Sequence, residues 1–202
     1  MLKINNMVQI LKIPKLEYEG FTDDEFFDFC MANEGLKFER NSNRETIVMP
    51  PTSYESGMQE STFAFHIQLW NHVHQKGLVF SSQTGFTLPN DAIRSPDCAW
   101  ISMEKHNRIS LEERKKFAHV VPDFVAEIKS YSDSWKGLQE KMIEYIENGV
   151  QLGWLINPSE QKIMVFTPDN INPTAEPFGV INGGTVLEDL ELDLRTIFPL
   201  NL

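Results

Sequence analysis

Apolar positions along this chain change period several times, and each change marks an element. Thr22-Asp-Asp-Glu25 has the form of a capping box, and Phe26, Phe27 and Phe29 behind it predict a short helix ending near Gly35. Two strand-like runs follow, Leu36 to Arg40 and Glu45 to Met49, parted by Asn41-Ser-Asn43 as a hairpin and closed by Pro50-Pro51. From Ser53 or Tyr54 to Lys76 the period is that of a long helix, with Gly77 where a left-handed C-terminal residue is wanted. Glu60, Phe63, Ala64, Ile67 and Asn71 share one stripe of it, so the Glu60 carboxylate points towards the core. Strands are predicted at Leu78 to Ser81, Thr84 to Leu88 and Asp97 to Ser102, and Ser110-Leu-Glu-Glu113 opens a short turn. Phe124, Val125, Ala126 and Ile128 read as a buried strand. Ser132-Asp133-Ser134 then caps a helix running to Asn148, closed by Gly149, with Leu138, Met142, Tyr145 and Ile146 as its buried stripe. Strands Gly153 to Ile156 and Lys162 to Phe166 are joined by the turn Asn157-Pro-Ser-Glu160. Gly183-Gly184 turns the chain before Thr185 to Leu187, and Leu194 to Phe198 forms a last helical turn.

The sum is a mixed α/β (α+β) fold: a central mixed sheet flanked by helices, with additional N-terminal and C-terminal β-hairpins. With 202 residues, 41% of them hydrophobic, and no linker-like stretch, one domain over residues 1–202 is expected, preceded over 1–20 by a loosely ordered extension. No run of 18 apolar residues exists and the start lacks the pattern of a signal peptide, so a soluble cytoplasmic protein away from membranes is expected. Cys30 and Cys98 have no metal or disulfide spacing and read as small buried residues. His72 and His74 are two apart on a helix and diverge, so no zinc site is proposed; His106 and His119 read as surface residues.

Chemistry gathers in Val121 to Asp133. Glu127 and Lys129 lie two apart on the buried strand and so share a face, and unpaired buried charge costs several kcal/mol. An ion pair at a sheet rim would explain them. So would metal-dependent phosphodiester cleavage, because Asp97, after Pro96 and 30 residues before Glu127, brings a second carboxylate from another strand. Two carboxylates and a lysine make a magnesium site with a charge stabiliser beside it.

The order Pro96-Asp97, then Glu127-Ile128-Lys129, resembles the PD-(D/E)XK nuclease signature. A longer run makes the resemblance specific. Pro122 to Phe166, PDFVAEIKSYSDSWKGLQEKMIEYIENGVQLGWLINPSEQKIMVF, together with RSPDCAW and the GMQE helix start, resembles the Uma-type family of restriction endonucleases in that superfamily, over roughly residues 20–200. The resemblance implies a restriction-endonuclease-like core and hydrolysis of DNA phosphodiesters by a magnesium-activated water, with manganese as a substitute cofactor. It implies that Asp97, Glu127 and the Ile128 carbonyl hold the metal, and it gives Glu60 the part of an additional acidic ligand. Glu60 equally suits a half-exposed acid favoured by the helix dipole. Lys129 is the first choice for stabilising the transition state. In the family the strand lysine is often apolar and a helix lysine recurs, and Lys141, at the edge of its helix's stripe, is the second choice. Asp123 reads as a structural acid, fixing a loop or orienting Lys141.

The net charge of −11 weighs against a nucleic-acid substrate, because duplex binding draws on cationic contacts to phosphate. Arg108, Arg114, Lys115 and Lys116 form a basic cluster that reads better as a solvated flank than as a DNA-facing surface. Two alternatives stay open: a non-catalytic nuclease-fold binding protein, and a hydrolase of a small phosphate ester. A homodimer would suit an enzyme that cuts both strands, though no interface is legible.

Overall fold

Thr22 starts the first helix as a capping box: its hydroxyl accepts the Glu25 N–H at 3.3 Å, and its own N–H donates to the Glu25 carboxylate at 2.8 Å. The structure, a computed structural model, describes residues 21–199. The expected N-terminal extension over residues 1–20 lies outside the described residues. In chain order the elements are α1 (Asp23–Ala32), β1 (Lys37–Arg40), β2 (Thr46–Met49), α2 (Tyr54–His74), β3 (Gly77–Ser81), β4 (Phe86–Thr87), β5 (Ile93–Arg94), β6 (Cys98–Ser102) and α3 (Met103–Arg108). There follow β7 (Phe124–Ile128), α4 (Trp135–Glu147), β8 (Leu152–Asn157), β9 (Lys162–Phe166), β10 (Glu176–Pro177), β11 (Val180–Gly183), β12 (Leu187–Asp193) and α5 (Leu194–Ile197).

Six strands form the central sheet in the order β10-β9-β8-β7-β6-β3, in which β7 and β8 run parallel and the other neighbours antiparallel. A parallel pair needs a crossover, and α4 supplies it. Alternation along β7 sets its two faces. Phe124, Ala126 and Ile128 pack with Phe63, Ile67 and Trp70 of α2 and with Leu187, Leu190 and Leu192 of the C-terminal hairpin β11-β12. Val125 packs on the opposite side, with Met142, Tyr145 and Ile146 of α4 and with Phe86, Leu88 and Ala92. Those last residues belong to the neighbourhood of a second, four-stranded antiparallel sheet of order β2-β1-β5-β4, which includes the N-terminal hairpin. Phe26 and Phe29 of α1 close a smaller core with Phe38 and Ile93 of that sheet. Glu127, one residue from the end of β7, therefore faces α4 and the second sheet.

Several local expectations are corrected. The left-handed residue ending α2 is Gln75, at φ 52°, not Gly77. Gly77 instead begins β3, where a Cβ would lie 2.3 Å from the Ile101 carbonyl oxygen and 2.4 Å from the Trp100 ring. That close approach is its reason to be glycine. The helix α3 is additional, capped by the Ser102 hydroxyl, and it contains His106. The strand after Gly183-Gly184 runs from Leu187 to Asp193 rather than from Thr185 to Leu187, because Gly184 at φ 56° turns the chain first. Among the described residues no helix is long and apolar enough to cross a membrane.

Candidate active site

Asp97 stands just before β6, and its Oδ2 accepts the Ile128 N–H at 2.8 Å. The register pairs Cys98 with Ala126, so two residues on it sets Pro96 opposite Ile128. Proline has no N–H, and the antiparallel ladder stops here. A side chain serves the Ile128 N–H, while the facing residue offers no donor to the Ile128 carbonyl.

Glu127 is 3% exposed. Its Oε1 accepts the Tyr145 hydroxyl at 3.0 Å and lies 2.9 Å from the Lys141 ammonium. Lys141 and Tyr145 are four apart on α4, so both turn to the same strand residue. The Lys141 ammonium lies equally, at 2.9 Å, from Oε1 of Glu39 on β1. Glu39 also accepts the Ser95 N–H at 3.0 Å and the Arg94 guanidinium at 3.1 Å, and Arg94 reaches Glu144 at 2.7 Å. The result is a chain of alternating charge, Glu127–Lys141–Glu39–Arg94–Glu144, with both Glu127 and Glu39 buried and the rest partly so, that ties α4 and both sheets together.

The balance of charge is uneven along that chain. Burial alone would raise Glu39, but Lys141, Arg94 and the Ser95 N–H together outweigh it and hold the carboxyl at about 2. Asp97 is pushed the other way, to about 8, first by burial, then by the Glu127 charge and further by Glu60; the Ile128 N–H and Lys141 oppose this only in part. Glu127 is also raised, by burial first, with Lys141 working against it and Glu39 with it. Burial works against the Lys141 charge, but Glu127 and Glu39 overcome it and keep the ammonium protonated. Tyr145 is raised well above its ordinary value by burial and by the same two carboxylates, so it stays a donor. Burial and neighbouring carboxylates thus disfavour full negative charge on Asp97 and Glu127 together.

A divalent cation between them would favour the ionised form of both. Among the described residues no group of three or more His, Cys, Asp and Glu side chains is gathered to hold a metal. The oxygens that could hold such a cation are those of Asp97 and Glu127 with the Ile128 carbonyl, and a hard cation that keeps several of its waters needs no more protein ligands than these.

A description as "Putative restriction endonuclease" attaches to Uma2, whose family pattern matches residues 23–195. The chain belongs to the Uma2 family. This Uma2 chain is also similar in fold to a crystal structure titled a "putative nuclease belonging to DUF820" from Anabaena variabilis ATCC 29413. The TM-score is 0.71 at 20% identity, over 90% of this chain and 99% of that one. No curated protein matches it.

The other residues singled out in this Uma2 sequence are placed as follows. Glu60 is partly buried; its Oε1 accepts the Thr52 hydroxyl at 3.0 Å and its charge is felt at Asp97. Lys129 follows Ile128, the last residue of β7; its N–H bonds the Ile156 carbonyl at 2.8 Å and its side-chain ammonium donates to the Ser130 carbonyl at 3.0 Å. Asp123 does fix a loop, accepting the Ser102 N–H at 2.8 Å and pairing with Lys105 at 2.8 Å, at the opposite end of β7 from Lys141. Of the basic cluster, Arg108, Lys115 and Lys116 pair with Glu104, Glu112 and Asp24 on the surface.

Glu39 and Arg94 are the residues that sequence reasoning missed. The available signal was on α4, where Lys141 and Tyr145 interrupt an apolar stripe one turn apart. Two buried polar ends demand more acceptors than one strand carboxylate supplies.

Proposed function

We propose that this chain is a metal-dependent endonuclease that hydrolyses phosphodiester bonds in DNA, with magnesium as its cofactor and manganese as a substitute. The observation that carries the reading is the convergence of two carboxylates that hold their protons more tightly than usual, Asp97 and Glu127, with one largely buried ammonium, Lys141. Membership of a family described as "Putative restriction endonuclease" and likeness in fold to the Anabaena "putative nuclease" support it. In this reading Asp97, Glu127 and the Ile128 carbonyl would hold the cation, which when bound supplies charge neutralisation and an acidified water. Lys141 contributes a fixed positive charge for the transition state, where phosphate oxygens gain negative charge. Tyr145 orients Glu127 through its hydroxyl, leaving Oε2 of that carboxylate for the metal. Glu60, on the rim, adds negative charge beside Asp97. Lys129, partly exposed at the end of β7, is left to meet a substrate phosphate.

The net charge of −11 favours a second reading, in which the same site hydrolyses a small phosphate ester that needs no extended cationic surface. Titration of magnesium and manganese into the wild type and Glu127→Ala, with plasmid and nucleotide substrates tested in the same buffers, separates the readings. Plasmid cleavage and metal binding lost together in the variant support the endonuclease. Turnover of the nucleotide alone supports the ester hydrolase, and binding without any turnover leaves a non-catalytic protein.

A further inference from the structure

The second sheet holds the candidate site on both sides through one strand. On β1, the Lys37 ammonium donates to the Ser95 carbonyl at 3.2 Å, and two residues on, Glu39 accepts the Ser95 N–H at 3.0 Å. Ser95 is 5% exposed and stands two residues before Asp97. The same Glu39 Oε1 that takes the Ser95 N–H takes the Lys141 ammonium at 2.9 Å. One buried oxygen thus contacts both the segment that carries the first carboxylate and the helix cation.

We propose that Glu39 is a positioning residue of the active centre: it fixes the Lys141 ammonium beside Glu127 and, through Ser95, the approach of Asp97. The proposal rests on the nuclease reading for what the centre does, and on the contacts alone for how it is held. The chemistry explains why a second carboxylate is needed. If Lys141 had Glu127 as its sole partner, the two would close into an ion pair and Glu127 would spend its charge on the lysine. Glu39 supplies a second carboxylate at the same 2.9 Å, so Lys141 is held from two sides and divides its charge between them, and Glu127 is not neutralised by the lysine alone. Glu39 is itself held from behind by Arg94, which Glu144 of α4 holds in turn. Its own geometry is therefore rigid, as a residue that sets another's position must be.

The test compares wild type, Glu39→Gln and Glu39→Asp with Asp123→Asn, a change of carboxylate at the far end of β7. One readout is the 1H–15N spectrum of the lysine ammonium groups, with the Lys141 signal assigned by its absence in Lys141→Arg. The other is steady-state cleavage of a DNA duplex in magnesium. The expected result is a Lys141 ammonium signal seen in wild type and Asp123→Asn and lost in Glu39→Gln, with kcat down about 10–100-fold and KM unchanged. Glu39→Asp, which keeps the charge but is one methylene short, falls between, and it carries both readouts if Glu39→Gln does not fold. A Lys141 signal that persists in both Glu39 variants overturns the proposal, as does a kcat that falls equally in Asp123→Asn. If wild type cleaves no DNA, the nuclease reading fails by itself and the ammonium spectrum alone decides the role of Glu39.

Discussion

Asp97 and Ile128 are joined by a 2.8 Å hydrogen bond from backbone N–H to side-chain carboxylate. It crosses from β6 to β7 at the point where Pro96 interrupts the ladder, so one contact both repairs the sheet and places an acidic group one residue from Glu127. The repair has an electrostatic cost, since Asp97 is held near buried Glu127, and that cost is measurable.

In the folded chain Asp97 keeps its proton up to about pH 8, whereas an unfolded aspartate loses it near about pH 4. Between those values the native state binds the extra proton, so this group's contribution to stability is full below about pH 4 and is lost as pH rises through about 8. Asp97→Asn removes the titration while keeping an acceptor for the Ile128 N–H. Urea denaturation without divalent ions should show the variant more stable than wild type by about 2–4 kcal/mol at pH 8, after allowance for partial exposure, and little different at pH 4.5. An equal difference at both pH values would contradict the assignment.

Glu127 is the second largest cause of the raised Asp97 value. Glu127→Gln keeps an oxygen for the Tyr145 hydroxyl but deletes the charge. A 13C titration of the Asp97 carboxyl should then show its midpoint falling from about 8 towards the ordinary carboxylate range. An unmoved midpoint would mean that burial and Glu60 set it without Glu127. In the same variant DNA cleavage should be lost.

Lys141→Met leaves Glu39 and Glu127 buried with no ammonium between them. Removing one partner of such a pair costs about 3–5 kcal/mol. Arg108→Ala breaks a pair whose side chains are 73% and 76% exposed, and should change stability by about 0.5 kcal/mol or less. Chemical denaturation of both variants at pH 7 checks the contrast, and comparable losses would remove the argument that the Lys141 cluster is a dry, tightly coupled one.

Gly77→Ala forces a methyl to within 2.3 Å of the Ile101 carbonyl and against Trp100, and should cost about 1–3 kcal/mol or more as β3 is pushed from β6. Gln75→Gly relieves a left-handed residue at φ 52° and should be neutral or stabilising by up to about 1 kcal/mol. Thermal melts of the two variants distinguish the close-packed glycine from the helix-ending position.

What could be read from the chain alone was local in origin. The Thr22 capping box, the turn at Asn157, the left-handed Gly149 after α4 and the buried strand at Phe124 to Ile128 are each decided within a few residues, and each stands as read. Asp97 and Glu127 were legible as a pair because adjacent strands bring them together. The partner of Lys141 was not, since Glu39 lies 102 residues away on a strand of another sheet, and no pattern of period two or 3.6 reports a contact of that separation. Lys129 follows directly on the last residue of β7, and its N–H still bonds the Ile156 carbonyl at 2.8 Å. The helix α3 was passed over because its six residues follow β6 directly, with Ser102 serving both elements.

The lysine of the site rides on α4, the same segment that makes the crossover between the parallel strands β7 and β8. A nascent chain that had paired β6 with β7 would already own both carboxylates, but it would hold no ammonium until the crossover helix came down onto the sheet. The counter-charge of the site would then arrive together with closure of the topology, so in an unfinished molecule Glu127 would face Asp97 with no ammonium beside it.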